Sequence, residues 1–195
     1  MEGAICINEW LIERGYLVLK EMPETPSELK PEIVDWKRTK AWGEGGYYGR
    51  LFINVRGREP EGTVPPEGYE AFRDQIAREL EAIADESGRS IGTVVYKPED
   101  VYREVRGVPP DLIVYFGNLS WRSAGKVALG GVHLRENDTG PDDANHAPEG
   151  VFIWDRGDAA RKEVYSIYDV APTILDFFGI DPPPEMIGRS LLRKF

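Results

Sequence analysis

Between Glu67 and Glu86 the apolar side chains recur at spacings of three and four residues, as they do along one face of an α-helix. The members of this stripe are Tyr69, Phe72, Ile76, Leu80 and Ile83. Gly88 follows, and glycine often ends a helix because it adopts the left-handed conformation without strain. The pattern predicts a helix over 67–86 with one face turned to the core.

Short apolar runs elsewhere in the chain predict strands. These runs cover residues 51–55, 93–96, 111–116 and 126–134. The run at 111–116 is almost uninterrupted, which is typical of a strand covered on both faces of its sheet. Strands that alternate with helices favour an α/β fold with a mostly parallel central sheet flanked by helices.

Two further helices are predicted near the ends of the chain. The first has Asn8 as its N-cap and ends at Gly15, and the last begins at Asp169 and ends at Gly179. The segment 21–50 is rich first in Pro, Glu and Ser and then in aromatic residues and Gly, so we expect it to be irregular and exposed. The length of 195 residues suits a single domain over the whole chain.

A turn-rich acidic loop concentrates the side chains that bind metal ions. It contains Asp138, Asp142, Asp143 and His146, and it leads into the apolar run 151–154, which is predicted to be a buried strand. Carboxylate oxygens and an imidazole are the ligands that hard or borderline divalent cations prefer. The aspartates have an alternative interpretation, because Asp readily hydrogen-bonds the backbone of its own turn.

Arg56 and Arg58 flank a glycine at the end of a predicted strand, where two guanidinium groups could bind an oxyanion such as a phosphate of the substrate. The alternative is that Arg58 and Glu59 pair with neighbouring charges and shape the loop. Three glycines of the preceding aromatic segment could also allow the backbone to approach a ligand closely, because glycine has no side chain. These are Gly43, Gly45 and Gly46.

Charge and cysteine content narrow the function classes. The chain has 24 Lys and Arg against 34 Asp and Glu, a formal net charge of −10, which opposes nonspecific binding to nucleic acid and to anionic membranes. The single cysteine, Cys6, excludes an internal disulfide and fits a cytoplasmic location. No signal peptide and no apolar run long enough to cross a membrane are visible, so no membrane partner is expected.

Six short segments, spread in order along nearly the whole chain, resemble a known superfamily. They are residues 7–12, 35–41, 53–60, 110–114, 146–153 and 169–175, followed by Gly179 and Pro182. The most specific combination is His146 with Glu-Gly-Val-Phe-Ile at 149–153, followed by Asp-Val-Ala-Pro-Thr-Ile-Leu at 169–175. With these residues the chain resembles the C-terminal half of the alkaline phosphatase superfamily, in its branch of type I phosphodiesterases and nucleotide pyrophosphatases.

The resemblance implies a partial alkaline-phosphatase-like fold and a metal-dependent phosphodiesterase or phosphohydrolase function. Proteins of this superfamily hold two divalent metal ions, here expected to be Zn²⁺ or Mn²⁺, which polarise a phosphate ester and activate a Thr or Ser nucleophile. By the resemblance, His146 is the last metal ligand of the family. Asp169 and Thr173 are then structural residues of the final helix.

The same resemblance leaves the catalytic machinery incomplete. The family's nucleophile, first aspartate ligand and Asp-His pair have no counterpart here, and the chain has two histidines, His133 and His146. His133 lies on a predicted strand, where we expect a satisfied, partly buried histidine rather than a ligand. We therefore expect this C-terminal portion to have no catalytic residue of its own and to act with an N-terminal catalytic half on another chain.

A second hypothesis is that the chain is a non-catalytic module, left from a truncated gene, that forms a homodimer or binds a partner. Absence of the catalytic half would expose sheet edges and apolar faces, and such surfaces favour association. The first hypothesis predicts hydrolysis once the missing half is added, and the second does not.

Overall fold

A computed structural model of the chain describes residues 1–136, 144–154 and 164–192. Their contacts divide the chain into two compact units, Met1–Gly150 and Val151–Phe195. We call these the N-terminal unit and the C-terminal unit and describe each by itself. The single domain expected over 1–195 stays a prediction.

The described elements are short strands and helices. In chain order they are β1 (Gly3–Cys6), α1 (Ile7–Glu13), β2 (Ala41–Glu44), β3 (Gly49–Ile53), α2 (Tyr69–Glu81), β4 (Val94–Tyr96), α3 (Pro98–Val101), β5 (Leu112–Tyr115), β6 (Trp121–Ala124), β7 (His133–Leu134) and α4 (Val170–Phe177). Short 3₁₀ segments accompany them at Pro31–Ile33, Pro66–Gly68, Phe116–Leu119 and Ile167–Asp169. None of the described helices has the length and apolar character needed to span a membrane.

Two small sheets organise the N-terminal unit. In the first, with strand order β6-β1-β7, β1 pairs in parallel with β6 and antiparallel with β7. The second has the order β2-β3-β5-β4, and its pairings are all antiparallel. The α/β class is confirmed. The prediction of a mostly parallel central sheet is wrong, because the described strands contain one parallel pair.

The apolar run at 111–116 is the feature that led to the wrong prediction of a parallel sheet. Val114 belongs to the buried core, whereas Tyr115, the next residue, points to the opposite face of the sheet. There the ring of Tyr115 packs against two other tyrosines, with centroids 5.3 Å from Tyr96 and 5.7 Å from Tyr48. Aromatic packing on the outward face gives an antiparallel strand the same run of apolar residues as a strand between two helix layers.

The core of the N-terminal unit lies where α1 and α2 pack on the four-stranded sheet. Its fully buried members include Ile7, Leu11, Leu51, Ile53, Ile76, Leu80, Leu112 and Phe116. Burying one side chain of this size stabilises a fold by about 1.5–3 kcal/mol. The apolar stripe predicted over 67–86 therefore does hold a helix on the sheet, although α2 is shorter than that range.

The parallel pair β1–β6 was absent from the sequence-based expectations. Both strands are four residues long and buried at every position, so they show no alternation of apolar and polar residues. α1 follows β1 directly, and Asn8, predicted as its N-cap, is the second residue of the helix. Within the predicted strand 126–134, the two residues of β7 form a strand and Val127 forms an isolated bridge with Ser27.

The prediction that segment 21–50 is irregular and exposed is wrong in part. The segment contains β2 and the start of β3, and Val34 and Thr39 are fully buried. An isolated bridge joins Val34 to Leu19, and the Thr39 hydroxyl accepts a hydrogen bond from the Val18 N–H at 3.1 Å. These partners are distant in sequence, which is why local composition did not indicate them.

The C-terminal unit consists of α4 and the chain on either side of it. The buried Thr173 hydroxyl donates to the Asp169 carbonyl at 2.5 Å and accepts from the Leu191 N–H at 2.9 Å. The Asp169 carboxylate accepts from the Arg189 N–H at 3.0 Å. These bonds tie α4 to the following segment, which agrees with the structural roles expected for Asp169 and Thr173.

Residues 151–154 do not form the buried strand that their apolar run predicts. Val151 and Ile153 are 89% and 86% exposed. An apolar run becomes a buried strand only where a sheet offers it a partner. The described part of the C-terminal unit contains no strand to pair with.

Candidate functional site

His146 lies at the surface beside the loop that joins β2 to β3. Its imidazole ring is exposed, and the ring centroid is 4.0 Å from that of Tyr47. The neighbouring Asn145 anchors the segment, because its side-chain amide donates to the Tyr47 carbonyl at 3.2 Å and to the Leu119 carbonyl at 2.9 Å. The imidazole is thus held in place and remains accessible to a ligand.

A metal centre requires several ligands around one point. Within residues 1–136, 144–154 and 164–192, no group of three or more His, Cys, Asp and Glu side chains is arranged to hold an ion. Asp138, Asp142 and Asp143, predicted to lie near His146, fall outside the described residues. The described part of the chain offers one candidate imidazole, and metal binding at His146 stays a prediction.

A left-handed turn supplies the other anchor of this corner. Asn118 and Leu119 have φ angles of 48° and 75°, a region that residues other than glycine seldom occupy. The Leu119 side chain is buried, and its carbonyl accepts the hydrogen bond from Asn145. The sequence indicated only the end of a strand here, and the Gly-Asn pair at 117–118 was the available signal for the turn.

Arg58, predicted to bind substrate, forms an ion pair with the buried Asp111. Its Nη1 and Nη2 atoms each donate to a carboxylate oxygen of Asp111 at 2.7 Å, and Nη2 also donates to the Ile53 carbonyl. Its Nε donates to Glu59 at 3.0 Å. The Asp111 carboxylate also accepts from the Tyr69 hydroxyl and from the Ile53 N–H, both at 2.6 Å.

This network leaves Arg58 little capacity for an oxyanion, because four of its five N–H donors are engaged. The hydrogen bonds with Asp111 raise the pKa of the guanidinium. Burial, reinforced by Asp111, raises the pKa of the Tyr69 phenol. The geometry favours the alternative interpretation, in which Arg58 pairs with neighbouring acids and shapes the loop.

Arg56 is exposed, as Arg58 is, but it differs from Arg58 in its side-chain contacts. Its backbone N–H donates to the Val64 carbonyl at 2.9 Å. Its guanidinium makes no hydrogen bond or ion pair with any residue that the structure describes. A guanidinium in this state can still bind an oxyanion, so substrate binding by Arg56 stays a prediction.

Polar groups of several segments meet at the carboxyl end of the parallel pair β1–β6. The Asn8 amide donates to the carbonyls of Gly43 at 2.9 Å and Gly125 at 2.6 Å, and its oxygen accepts from the Gly43 N–H at 2.9 Å. These bonds join α1 to β2 and to the chain after β6. Asn8 is therefore a buried cross-link of the N-terminal unit rather than the N-cap that was predicted.

Cys6 ends β1 but is not a candidate nucleophile. It is fully buried, and burial, reinforced by the nearby Glu9 carboxylate, raises the pKa of the thiol to about 11. Glu9 is itself engaged, because its carboxylate accepts from the Leu129 N–H at 2.9 Å. The thiolate is the reactive form of cysteine, so this thiol is inert near neutral pH.

His133 is the satisfied, partly buried histidine that was expected. Its Nε2 lies 2.8 Å from the Ala84 carbonyl oxygen, which can only accept, so Nε2 carries the proton. Its ring packs edge to face on Trp121, with centroids 5.8 Å apart.

Two of the glycines predicted to contact a ligand are required by packing within the N-terminal unit. A Cβ at Gly43 would lie 2.7 Å from the side chain of Ile7, and one at Gly45 would collide with the backbone of Gly125. Gly46 has a φ of 147°, which L side chains rarely adopt. Contact of these glycines with a ligand stays a prediction.

Comparison with known proteins gives one local similarity. Over 47 residues the chain is 40% identical to a 2,3-bisphosphoglycerate-independent phosphoglycerate mutase from Paracoccus denitrificans (strain Pd 1222). The matched stretch is 24% of this chain and 9% of the mutase, so it spans a small part of both proteins. Mutases of this kind belong to the alkaline phosphatase superfamily, and the similarity supports the resemblance at that level. No family model and no solved structure gives a significant match.

Proposed function

We propose that the chain is the C-terminal portion of a metal-dependent phosphodiesterase or phosphohydrolase of the alkaline phosphatase superfamily. The observation that carries the proposal is the similarity to the phosphoglycerate mutase, which supports a relationship at the level of the superfamily. The finer placement, among type I phosphodiesterases and nucleotide pyrophosphatases, is supported by the segments 146–153 and 169–175.

In this proposal His146 contributes one metal ligand. Asn145 anchors its segment and Tyr47 packs against its ring, while the imidazole itself is exposed. A neutral imidazole offers a nitrogen lone pair to Zn²⁺ or Mn²⁺, and such an ion, when bound, polarises a phosphate ester. Arg56, whose guanidinium is unengaged among the described residues, would hold a phosphate oxygen.

The described residues do not fit a complete two-metal centre, so no catalytic step is assigned to this chain alone. Of its two histidines, His133 is already bonded to Ala84, and a centre of this type needs several histidine and aspartate ligands. We propose that a catalytic half on another polypeptide supplies the nucleophile and the remaining ligands. We propose a cytoplasmic location for the assembly, with neither nucleic acid nor membrane as a partner.

Hydrolysis assays with and without a catalytic half test this function. The chain is assayed with a phosphodiester and a phosphomonoester in the presence of Zn²⁺ or Mn²⁺, alone and mixed with an N-terminal fragment of a superfamily member. Turnover that appears only in the mixture, falls in His146→Ala and persists in the control Tyr47→Phe supports the proposal. Equal turnover with and without the fragment contradicts the proposal, and so does equal turnover of the mixtures with the unmodified chain and with His146→Ala.

A different observation favours a second candidate function, a non-catalytic module that self-associates or binds a partner. The described part of the C-terminal unit exposes many large apolar side chains, and exposed apolar surface marks sites of association. They include Val151, Ile153, Val164, Ile167, Tyr168, Ile174, Phe177, Phe178, Ile180 and Ile187. Sedimentation velocity over a range of concentrations tests self-association, since a homodimer supports it and a monomer throughout argues against it.

A further inference from the structure

A cavity of about 480 Å³ opens on the outward face of the four-stranded sheet. Trp42 and Glu44 of β2 and Arg50 of β3 line it from the sheet, and Trp36 and Glu28 line it from the preceding segment. A volume of this order is typical of sites for small molecules. Neither the proposed metal ligand His146 nor Arg56 belongs to its lining.

Two tryptophans give the cavity an aromatic wall. The rings of Trp36 and Trp42 meet edge to face with centroids 5.1 Å apart, and Trp42 stacks on Phe52 at 5.4 Å and 14°. The Trp36 indole N–H donates to the Pro31 carbonyl at 3.1 Å, which fixes the orientation of the ring. Both tryptophans are half-buried, so the wall is held in place by the protein and still partly accessible.

The charges around this wall leave an excess of negative charge. Glu44 and Arg50 pair at 3.0 Å, so their charges largely compensate each other. The exposed carboxylate of Glu28 makes no hydrogen bond or ion pair with any described residue. The chain as a whole has a formal net charge of −10, which attracts cations to its surface.

We propose that this cavity binds a small organic cation of the alkylammonium class. The face of an indole ring attracts a cation through its quadrupole, and tryptophan is the strongest of the aromatic side chains in this respect. The Glu28 carboxylate adds attraction of the same sign. An anionic ligand would instead meet the carboxylate of Glu28, which no described residue compensates, and a neutral ligand would lack the attraction between a charge and the indole quadrupole.

Binding of a cation and of its neutral isostere tests the proposal. Choline and 3,3-dimethylbutan-1-ol have the same shape and differ in the charge on the quaternary centre. Calorimetric titration of the full chain should show saturable binding of choline, with the neutral alcohol about twofold to thirtyfold weaker. Equal or tighter binding of the alcohol overturns the proposal, and so does the absence of saturable choline binding.

Substitutions locate the binding in this cavity. Glu28→Gln removes one charge on an exposed side chain and should weaken choline binding by about twofold to fivefold. Glu24→Gln, in the same exposed segment but outside the cavity lining, should leave it unchanged. Trp36→Leu should reduce the preference for choline over the alcohol, because one of the two indole rings that attract the cation is lost. If Trp36→Leu does not fold, Glu28→Gln against Glu24→Gln decides alone, and equal affinities for those two variants overturn the proposal.

Discussion

The N-terminal unit and the C-terminal unit both carry large apolar side chains, but they bury them to very different extents. In the N-terminal unit, Ile53 and Ile76 are fully buried between the helices and the sheet. In the described part of the C-terminal unit, the buried apolar residues are Pro172 and Leu191, while Phe177 and Phe178 remain 65% and 70% exposed. The first unit has a hydrophobic core of its own, whereas the described residues of the second form none.

The difference shows which forces hold each unit together. The C-terminal unit depends on hydrogen bonds such as those of Thr173 and Asp169, and a hydrogen bond typically contributes about 0.5–1.5 kcal/mol net. Bonds of that strength do not offset the conformational entropy of ordering a segment without apolar burial. A segment that presents its apolar residues to solvent is suited to packing on another surface, in agreement with the proposed partner polypeptide.

Separating the two units has the largest expected effect. A fragment of residues 151–195 should lack a cooperative unfolding transition because it buries little apolar surface, whereas a fragment of residues 1–150 should keep one. Circular dichroism during heating measures both. A cooperative transition in the 151–195 fragment would contradict the difference in apolar burial between the two units.

Matched truncations within the full chain sharpen the comparison. Ile53→Ala creates a cavity in the N-terminal core and should lower the free energy of unfolding by about 2–5 kcal/mol. Ile187→Ala removes the same atoms from a side chain that is 63% exposed, and should change it by less than about 0.5 kcal/mol. Urea unfolding of the two variants is the measurement, and similar losses at both positions would contradict the account.

The N-terminal unit also contains the ion pair between Arg58 and the buried Asp111. Asp111→Asn leaves the Arg58 guanidinium without its carboxylate and should destabilise the chain by about 2–4 kcal/mol, below the range for fully buried pairs because Arg58 is 44% exposed. Glu104→Gln, which removes an exposed ion pair with Arg106, is the control and should leave the urea midpoint unchanged. An equally small effect of Asp111→Asn would favour a substrate-binding role for Arg58.

Burial of Cys6 predicts a loss of stability at alkaline pH. The thiol pKa is raised from 9.0 to about 11, so between these values the unfolded chain releases its proton while the folded chain keeps it. Stability should therefore fall as pH rises through this window, by on the order of 2–3 kcal/mol. Urea unfolding at pH values from below 9 to about 11 should show a shallower decline for Cys6→Ala than for the unmodified chain. Parallel declines would contradict the assignment.

Sequence reasoning succeeded where the signal is local and failed where it depends on distant partners. The stripe of α2 is a periodicity within one helix, so it predicted that element directly. β1 and β6 are short strands that are buried at every position and lie more than 100 residues apart in the sequence. Neither has the alternation of apolar and polar residues by which a strand is predicted.

The candidate sites divide in the same way. His146 was identified from a short motif, and the structure places it at an accessible position. The role of Arg58 could not be read locally, because its partner Asp111 lies 53 residues away. The cavity lined by Trp36 and Trp42 was also not predicted, because its lining comes from separate segments of the fold.

Metal content tests the central claim most directly, namely that His146 supplies one ligand to a centre completed by another polypeptide. After equilibration with Zn²⁺ and removal of free ions, the metal per chain is measured for the isolated chain, for its complex with a catalytic half, and for the His146→Ala complex. We expect metal retained in the complex, less in the His146→Ala complex, and no bound pair in the isolated chain. Two tightly held ions per isolated chain would contradict the account.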